Sequence, residues 1–315
     1  MSCFLGIDTS NYTTSASVYD SESGKMIYRK KLLPVKKGEC GLRQSDAVFH
    51  HVQQLPDIVD DLFREFDQKI TAIGVSIRPR DVEGSYMPCF TVGSAAARIL
   101  SSVMKIPLYI FSHQCGHIAA AVYSAGCMDL IDKSFYAFHV SGGTTEALLV
   151  KPDKERIFDV TLAAKTLDLN AGQLIDRVGV MLGLSFPCGA QLEKLAAGYQ
   201  GKINARPTIK DGNCCLSGIE NICRREFDKG SSEEYISALC LKYVEASISA
   251  MCDCLIEKQG QLPVIFAGGV MSDRIIKDHL QKKYNSYFAM PDYSTDNASG
   301  TALLCCLKHS MIYKV

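Results

Sequence analysis

Two stretches of the chain carry one pattern. Residues 4–20, FLGIDTSNYTTSASVYD, open with an apolar run, pass through a small polar turn and return as an alternating strand. Residues 136–153, YAFHVSGGTTEALLVKPD, do the same. A turn of Gly, Ser and Thr between two such runs predicts a β-hairpin, and two hairpins nearly half a chain apart predict a duplicated architecture. After the first hairpin, AVFHHVQQLPDIVDDLFREF predicts a helix with Pro56 inside it. The strand ITAIGVSI follows, then a loop rich in Arg and Pro, a helix through GSAAARILSSVM, and a short strand, LYIF, leading into another helix. After the second hairpin, GQLIDRVGVMLG predicts a helix that Pro and Gly stop at SFPCGA. Over Tyr235–Lys258 a long helix aligns Ile236, Leu239, Cys240, Tyr243, Val244, Ile248, Met251 and Leu255 in one core-facing stripe. The strand PVIFAGG, the helix MSDRIIKDHL and a final helix from about Ala298 complete the chain. Hairpins followed by alternating strands and helices, twice over, predict an α/β fold of two halves with mixed sheets and a cleft between them. The expected boundary lies near residue 125, giving domains 1–125 and 126–315, with the last helix free to return to the first.

A length of 315 residues suits two cores, and 47% hydrophobic with 22% charged residues is an ordinary globular composition. No apolar run reaches the roughly 18 residues that span a bilayer. The start, MSCFLGIDTS, has no basic segment ahead of an apolar one, so a cytoplasmic protein without a membrane partner is expected. The 14 cysteines include no C-x-x-C pair and most lie in apolar patterns. They read as small buried hydrophobes in a reducing compartment. With 34 basic and 34 acidic residues the formal charge is zero, so a nucleic acid would have to be held by a local basic patch or by a second protein.

Five segments carry candidate chemistry. In SHQCGHIAAAV, Ser112 can cap a helix on which His113 and His117 share one face. Imidazoles one turn apart chelate a transition metal, or each is satisfied separately, while Cys115 points elsewhere. In VSGGTTE, the glycines of Ser141, Gly142 and Gly143 let backbone N–H groups approach a phosphate, or simply form a tight hairpin turn. Its N-terminal counterpart DTSNYTTS offers Asp8, which would contact a metal, a water or a phosphate, or support the turn. In FAGGVMSDR, a strand runs through Gly268 and Gly269 into a helix, an arrangement that suits an anion or nucleotide as well as plain chain reversal. In STDNASG, Asp296 either caps the final helix or serves as a hard metal ligand. Asp176, in GQLIDR, either binds a ribose hydroxyl pair or faces solvent.

Taken in order, these pieces resemble the tRNA adenosine threonylcarbamoyltransferase family, once described as O-sialoglycoprotein endopeptidases. The carriers are GIDTS, HQCGH, VSGG, GQLIDR, PCG, SG, GGV and STDNA, running from Gly6 to Asn297. The resemblance implies two RNase-H-like domains of the actin, sugar-kinase and heat-shock-chaperone fold with a nucleotide cleft between them. It implies one divalent metal ion, iron or zinc, on His113, His117 and Asp296, with Asp296 completing the set from the other domain. It implies substrate binding by Ser141, Gly142 and Gly143, ribose binding by Asp176, and adenylate binding by Gly189, Gly268, Gly269 and Asp273. The implied reaction moves a threonylcarbamoyl group from its adenylate to the exocyclic amine of the tRNA adenosine beside the anticodon. A smaller paralogous protein and an ATPase or kinase-like subunit are the implied partners. A divergent paralogue with another carbamoyl- or acyl-adenylate or acceptor, or a non-catalytic nucleotide-binding partner of a true member, stands as the alternative. Departures from the family pattern are Tyr12–Thr13 for an acidic pair, Thr144–Thr145–Glu146 for H-T-Q, Gln173 for Glu, Asp273 for Asn, Glu220 for a basic residue and RPRDVEG for G-P-G-L.

Overall fold

The computed structural model describes residues 2–10, 12–34, 42–294 and 298–313. The chain divides into two compact units, one of residues 1–131, 152–159 and 292–315, the other of residues 132–151 and 160–291.

In the first unit, β1 (Cys3–Ser10) and β2 (Thr13–Asp20) form the first predicted hairpin, with Asp8 opposite Ser15 and Ser10 opposite Thr13. A third antiparallel strand, β3 (Met26–Leu32), extends it. The helix α1 (Gln44–Glu65) runs straight through Pro56. Then β4 (Ile70–Arg78) pairs parallel to β1, and β5 (Leu108–Ser112) pairs parallel to β4. Between them runs α2 (Phe90–Met104). The sheet order is β3-β2-β1-β4-β5. Its core joins Leu5, Ile7, Val18 and Ile73 to Leu55, Ile58 and Leu62 of α1. The helix α3 (His113–Ser124) follows β5 directly, and α9 (Ser299–Tyr313) belongs to this unit. Small residues let α3 and α9 cross closely: a Cβ on Gly300 would fall on the carbonyl of Gly116.

The second unit repeats the topology. Its sheet is β12-β11-β6-β7-β8, formed by β6 (Phe135–Val140), β7 (Thr145–Asp153), β8 (Ile157–Lys165), β11 (Val264–Ala267) and β12 (Ser286–Phe288). In both sheets three antiparallel strands are continued by two parallel ones. The helices are α4 (Ala171–Met181), α5 (Gly189–Ala196), α6 (Ser217–Asp228), α7 (Glu233–Gln259) and α8 (Arg274–Lys283), with a small hairpin of β9 (Thr208–Lys210) and β10 (Asn213–Cys215). The expected stripe of α7 is buried except at Tyr243, which is half-buried. The expected helix MSDRIIKDHL is two elements: a 3-10 turn at Gly269–Ser272, then α8, because Asp273 takes an extended conformation and caps the helix. All described cysteines are free, and all but Cys215 and Cys254 are buried. Among the described residues no helix is long and apolar enough to cross a membrane.

The α3–α9 crossing leaves no room for a methyl group. Gly300→Ala is therefore expected to lower stability in urea unfolding by about 2–3 kcal/mol. A change below about 0.5 kcal/mol, the range of a featureless surface site, contradicts so close an approach.

Candidate functional site

In the second unit, the end of β6 runs into the Ser141–Gly143 turn. Ser141 N–H donates to Thr144 O at 2.7 Å, and Ser141 Oγ accepts from the N–H groups of Gly143 at 3.3 Å and Thr144 at 3.1 Å. The turn is locked onto the start of α4: Gly172 N–H donates to Ser141 O at 3.1 Å, and a Cβ at position 172 would lie 2.6 Å from Gly142 N. Asp176, one turn further along α4, is half-buried, and its Oδ1 accepts from Cys188 N–H at 2.8 Å. This bond ties α4 to the segment where Gly189 opens α5. Gly268, at the end of β11, has φ 101° and sits against the Val140 carbonyl, so both its backbone and its surroundings exclude a side chain.

These contacts surround a cavity of about 350 Å³ lined by Gly142, Asp176, Gly189, Gly269 and Asp273. These residues come from separate motifs along the chain. Ser141 and Gly143 shape the turn, and Gly268 packs against β6. Glu193, which the sequence reading did not single out, lines the same cavity, and its Oε1 accepts from Arg274 N–H at 3.1 Å. It lies four residues after Gly189, so the helix that starts at Gly189 carries it back to the cavity. Asp273 Oδ1 accepts from Ile276 N–H at 3.0 Å. Burial, with the Glu193 charge adding to it, pushes the Asp273 carboxyl up to about 6 against the opposing bonds from the Ile276 and Ile275 amides. Glu220, where the family pattern is basic, pairs with Arg177 at 3.0 Å.

In the first unit, Ser112 caps α3, its Oγ accepting from Cys115 N–H at 3.3 Å, as its position predicts. His113 and His117 share one face, with Nε2 facing Nε2 at 2.9 Å. His113 Nδ1 meets Asp8 Oδ2 at 2.9 Å, and Asp8 Oδ1 accepts from Ser10 N–H at 2.8 Å. Burial alone would raise the Asp8 carboxyl. The opposite charge of His113 and hydrogen bonds from His113, Ser76 and Ser10 overcome it and hold the group below its ordinary value. When His113 is neutral, a carboxylate on Nδ1 fixes the tautomer and directs its Nε2 lone pair toward His117. At this distance the two nitrogens share one proton in a hydrogen bond, and the same pairing of imidazoles one turn apart suits a transition metal in the proton's place. Asp296, the third ligand the resemblance implies, lies outside the described residues. Among the described residues no third His, Cys, Asp or Glu joins the histidines in a metal-holding group. Cys115 turns away to Asp81 Oδ2 at 3.3 Å, and burial pushes its thiol up to about 12, so it stays protonated.

Asp81, inside RPRDVEG, also went unselected in the sequence. It accepts from Ser112 Oγ at 2.7 Å and pairs with Arg78 at 2.6 Å, and so supports the cap that starts α3. Burial raises its carboxyl, but hydrogen bonds from Ser112, Arg78 and Cys115 prevail and lower it. Its stabilising effect is thus complete above the ordinary carboxylate value of 3.8 and is lost as pH falls below it. Asp81→Ala is expected to cost about 1–3 kcal/mol at neutral pH, and the gap from the wild type should close in acid. A gap that persists unchanged well below pH 4 or so contradicts the ionic origin.

Comparison with known proteins places the sequence. The family model described as tRNA N6-adenosine threonylcarbamoyltransferase matches residues 34–303. Proteins of that name include one from a Sulfurihydrogenibium species, 29% identical over 318 residues, covering 95% of this chain and 88% of the relative. Another, from Methanopyrus kandleri, is 22% identical over 302 residues, covering 92% and 83%. A probable bifunctional tRNA threonylcarbamoyladenosine biosynthesis protein from Methanothermobacter thermautotrophicus is 24% identical over 95% of this chain, which spans only 54% of that relative. Among solved structures, full-length HypF in its phosphate- and nucleotide-bound form aligns with all of this chain and 56% of its own at TM-score 0.62 and 13% identity. A ROK family glucokinase from Streptomyces griseus aligns with 97% of this chain and 99% of its own at TM-score 0.55 and 12% identity. These two likenesses show the fold, that of the actin, sugar-kinase and heat-shock-chaperone group.

Proposed function

The chain belongs to the tRNA N6-adenosine threonylcarbamoyltransferase family of acyltransferases as a divergent member, and we propose that it transfers a threonylcarbamoyl group from threonylcarbamoyl-adenylate to the exocyclic amine of the tRNA adenosine beside the anticodon. The observation that carries this reading is the convergence of Gly142, Asp176, Gly189, Gly269 and Asp273 on one cavity. Its size and its mix of backbone and carboxylate lining suit a nucleoside. Asp176, held by the Cys188 amide, keeps Oδ2 for a ribose hydroxyl.

The chemistry is attack of the amine nitrogen on the carbamoyl carbon. The bond from that carbon to the phosphate oxygen breaks, AMP leaves, and the amine gives up a proton. The donor is already a mixed anhydride, so no side-chain nucleophile is required. His113 and His117, with Asp296 as the implied third ligand, would hold one iron or zinc ion, and Asp8 would orient His113. When bound, the ion supplies Lewis-acid polarisation and neutralises developing charge. The net charge of zero suits a tRNA presented with the help of a second protein, for which a smaller paralogous protein and an ATPase subunit are the candidates. A cytoplasmic site of action fits that substrate.

The test combines the purified chain with metal, helper proteins, threonylcarbamoyl-adenylate and unmodified tRNA, and reads modified adenosine by mass spectrometry. Modified tRNA is expected. Adenylate turnover with no product on tRNA would instead favour a paralogue with another acceptor, a reading that the neutralised Arg177–Glu220 pair supports.

His113→Ala is expected to abolish metal binding and to reduce tRNA modification at least about 100-fold, while Asp8→Asn weakens metal affinity about 10- to 100-fold. Full metal content in purified His113→Ala, read by elemental analysis, contradicts the assignment.

A further inference from the structure

Asp176, Glu193 and Asp273 all line the cavity of the second unit, and among the described residues no lysine or arginine lines it. The start of a helix ordinarily offers N–H groups to an anion. At α8 those groups are engaged by the protein itself: Ile276 N–H by Asp273 at 3.0 Å and Arg274 N–H by Glu193 at 3.1 Å. The Ser141–Gly143 turn likewise commits the N–H groups of Gly143 and Thr144 to Ser141 Oγ. A phosphate set against α8 would therefore meet two carboxylates in a partly dry site, where like charges repel strongly.

Asp273 is buried and faces a second carboxylate, and both favour its uncharged form. The groups around it are Glu193 from α5, Asp176 from α4 and Cys240 from α7. The Cys240 thiol is pushed up by its hydrogen bond with Cys223, by burial and by the Asp273 charge. β11 carries no titratable side chain, and β6 carries Tyr136 and His139. On its own helix, Arg274 and Asp278 are exposed and Lys277 lies over the Phe288 ring at 5.3 Å.

We propose that Asp273 sets the charge this cavity admits: the nucleoside part of a ligand enters at any pH, whereas a phosphate near α8 enters only as Asp273 takes a proton from solvent. The inference rests on the nucleotide reading of the cavity and adds to it the ligand's charge. It gives a consequence to the replacement of the family's Asn by Asp. Asn caps a helix as well as Asp does, so Asp273→Asn keeps the fold and removes only the charge.

The experiment is calorimetric titration of the full chain with adenosine and with the methyl ester of AMP, whose phosphodiester charge is fixed across neutral pH. For the wild type, adenosine affinity should be flat between about pH 6 and 8, while phosphodiester affinity falls by up to about tenfold per pH unit. Asp273→Asn should bind the phosphodiester as tightly at the upper pH as at the lower. A flat wild-type phosphodiester profile, or a slope that survives in Asp273→Asn, overturns the inference while adenosine binding keeps the nucleotide reading intact. If adenosine itself does not bind, the nucleotide reading fails and the inference falls with it.

Discussion

The cavity of the second unit depends on backbone meeting backbone at Gly172. No side chain fits between the start of α4 and the Ser141–Gly143 turn, because a Cβ there would lie 2.6 Å from Gly142 N. The absence of a side chain lets Gly172 N–H reach Ser141 O and brings Asp176, four residues on, to the cavity wall. Gly268 plays the matching part across the sheet, where its left-handed backbone and the nearby Val140 carbonyl exclude any larger residue. The Asp176–Cys188 bond then closes the arrangement by fixing where α5 begins, and with it Gly189 and Glu193. Side-chain packing in the large core behind, from Leu174 and Val178 to Val244 and Phe266, holds the elements together but does not select the cavity's shape.

The first unit solves a different problem. Its candidate metal pair must start a helix at a defined point, and the carboxylates bracket that start. Asp81 holds the Ser112 cap and Asp8 holds the His113 ring. Against burial, Asp8 is kept ionised by the opposite charge of His113 and by hydrogen bonds, and Asp81 by hydrogen bonds led by that of Ser112. An ionised, buried carboxylate on a histidine is a costly arrangement unless a positive partner repays the lost hydration. That partner is a protonated His113, or a cation held by His113 and His117 in its place.

Much of the fold was legible from periodicity. Both hairpins, the helix through Pro56, the stripe of α7 and the Ser112 cap follow from local patterns that burial later reinforces. What escaped had weaker local signals. β3 and β8 are third strands whose alternation is diluted by exposed charges, and α5 is only two turns long. The break at Asp273 hid inside a run that reads as one helix because a capping Asp is also tolerated within a helix. Glu193 and Asp81 escaped because an acid on an amphipathic helix or in a polar loop ordinarily faces solvent. The Arg274 amide for one, and Ser112, Arg78 and Cys115 for the other, distinguish them. The site residues within GQLIDR, PCG and GGV were legible through their order along the chain, since each motif alone also describes an ordinary turn.

The most direct measurement is adenosine binding to Asp176→Ala beside the wild type, by calorimetry at neutral pH. Asp176→Ala also loses the Cys188 bond, so Asp176→Asn, which keeps an oxygen for the Cys188 amide, is measured beside it. If the cavity is a nucleoside site walled by Asp176, both variants stay folded and the affinity of each falls at least about tenfold, as expected when a hydrogen bond to a charged group is removed. Equal affinity in the wild type and both variants would contradict the assignment of this cavity.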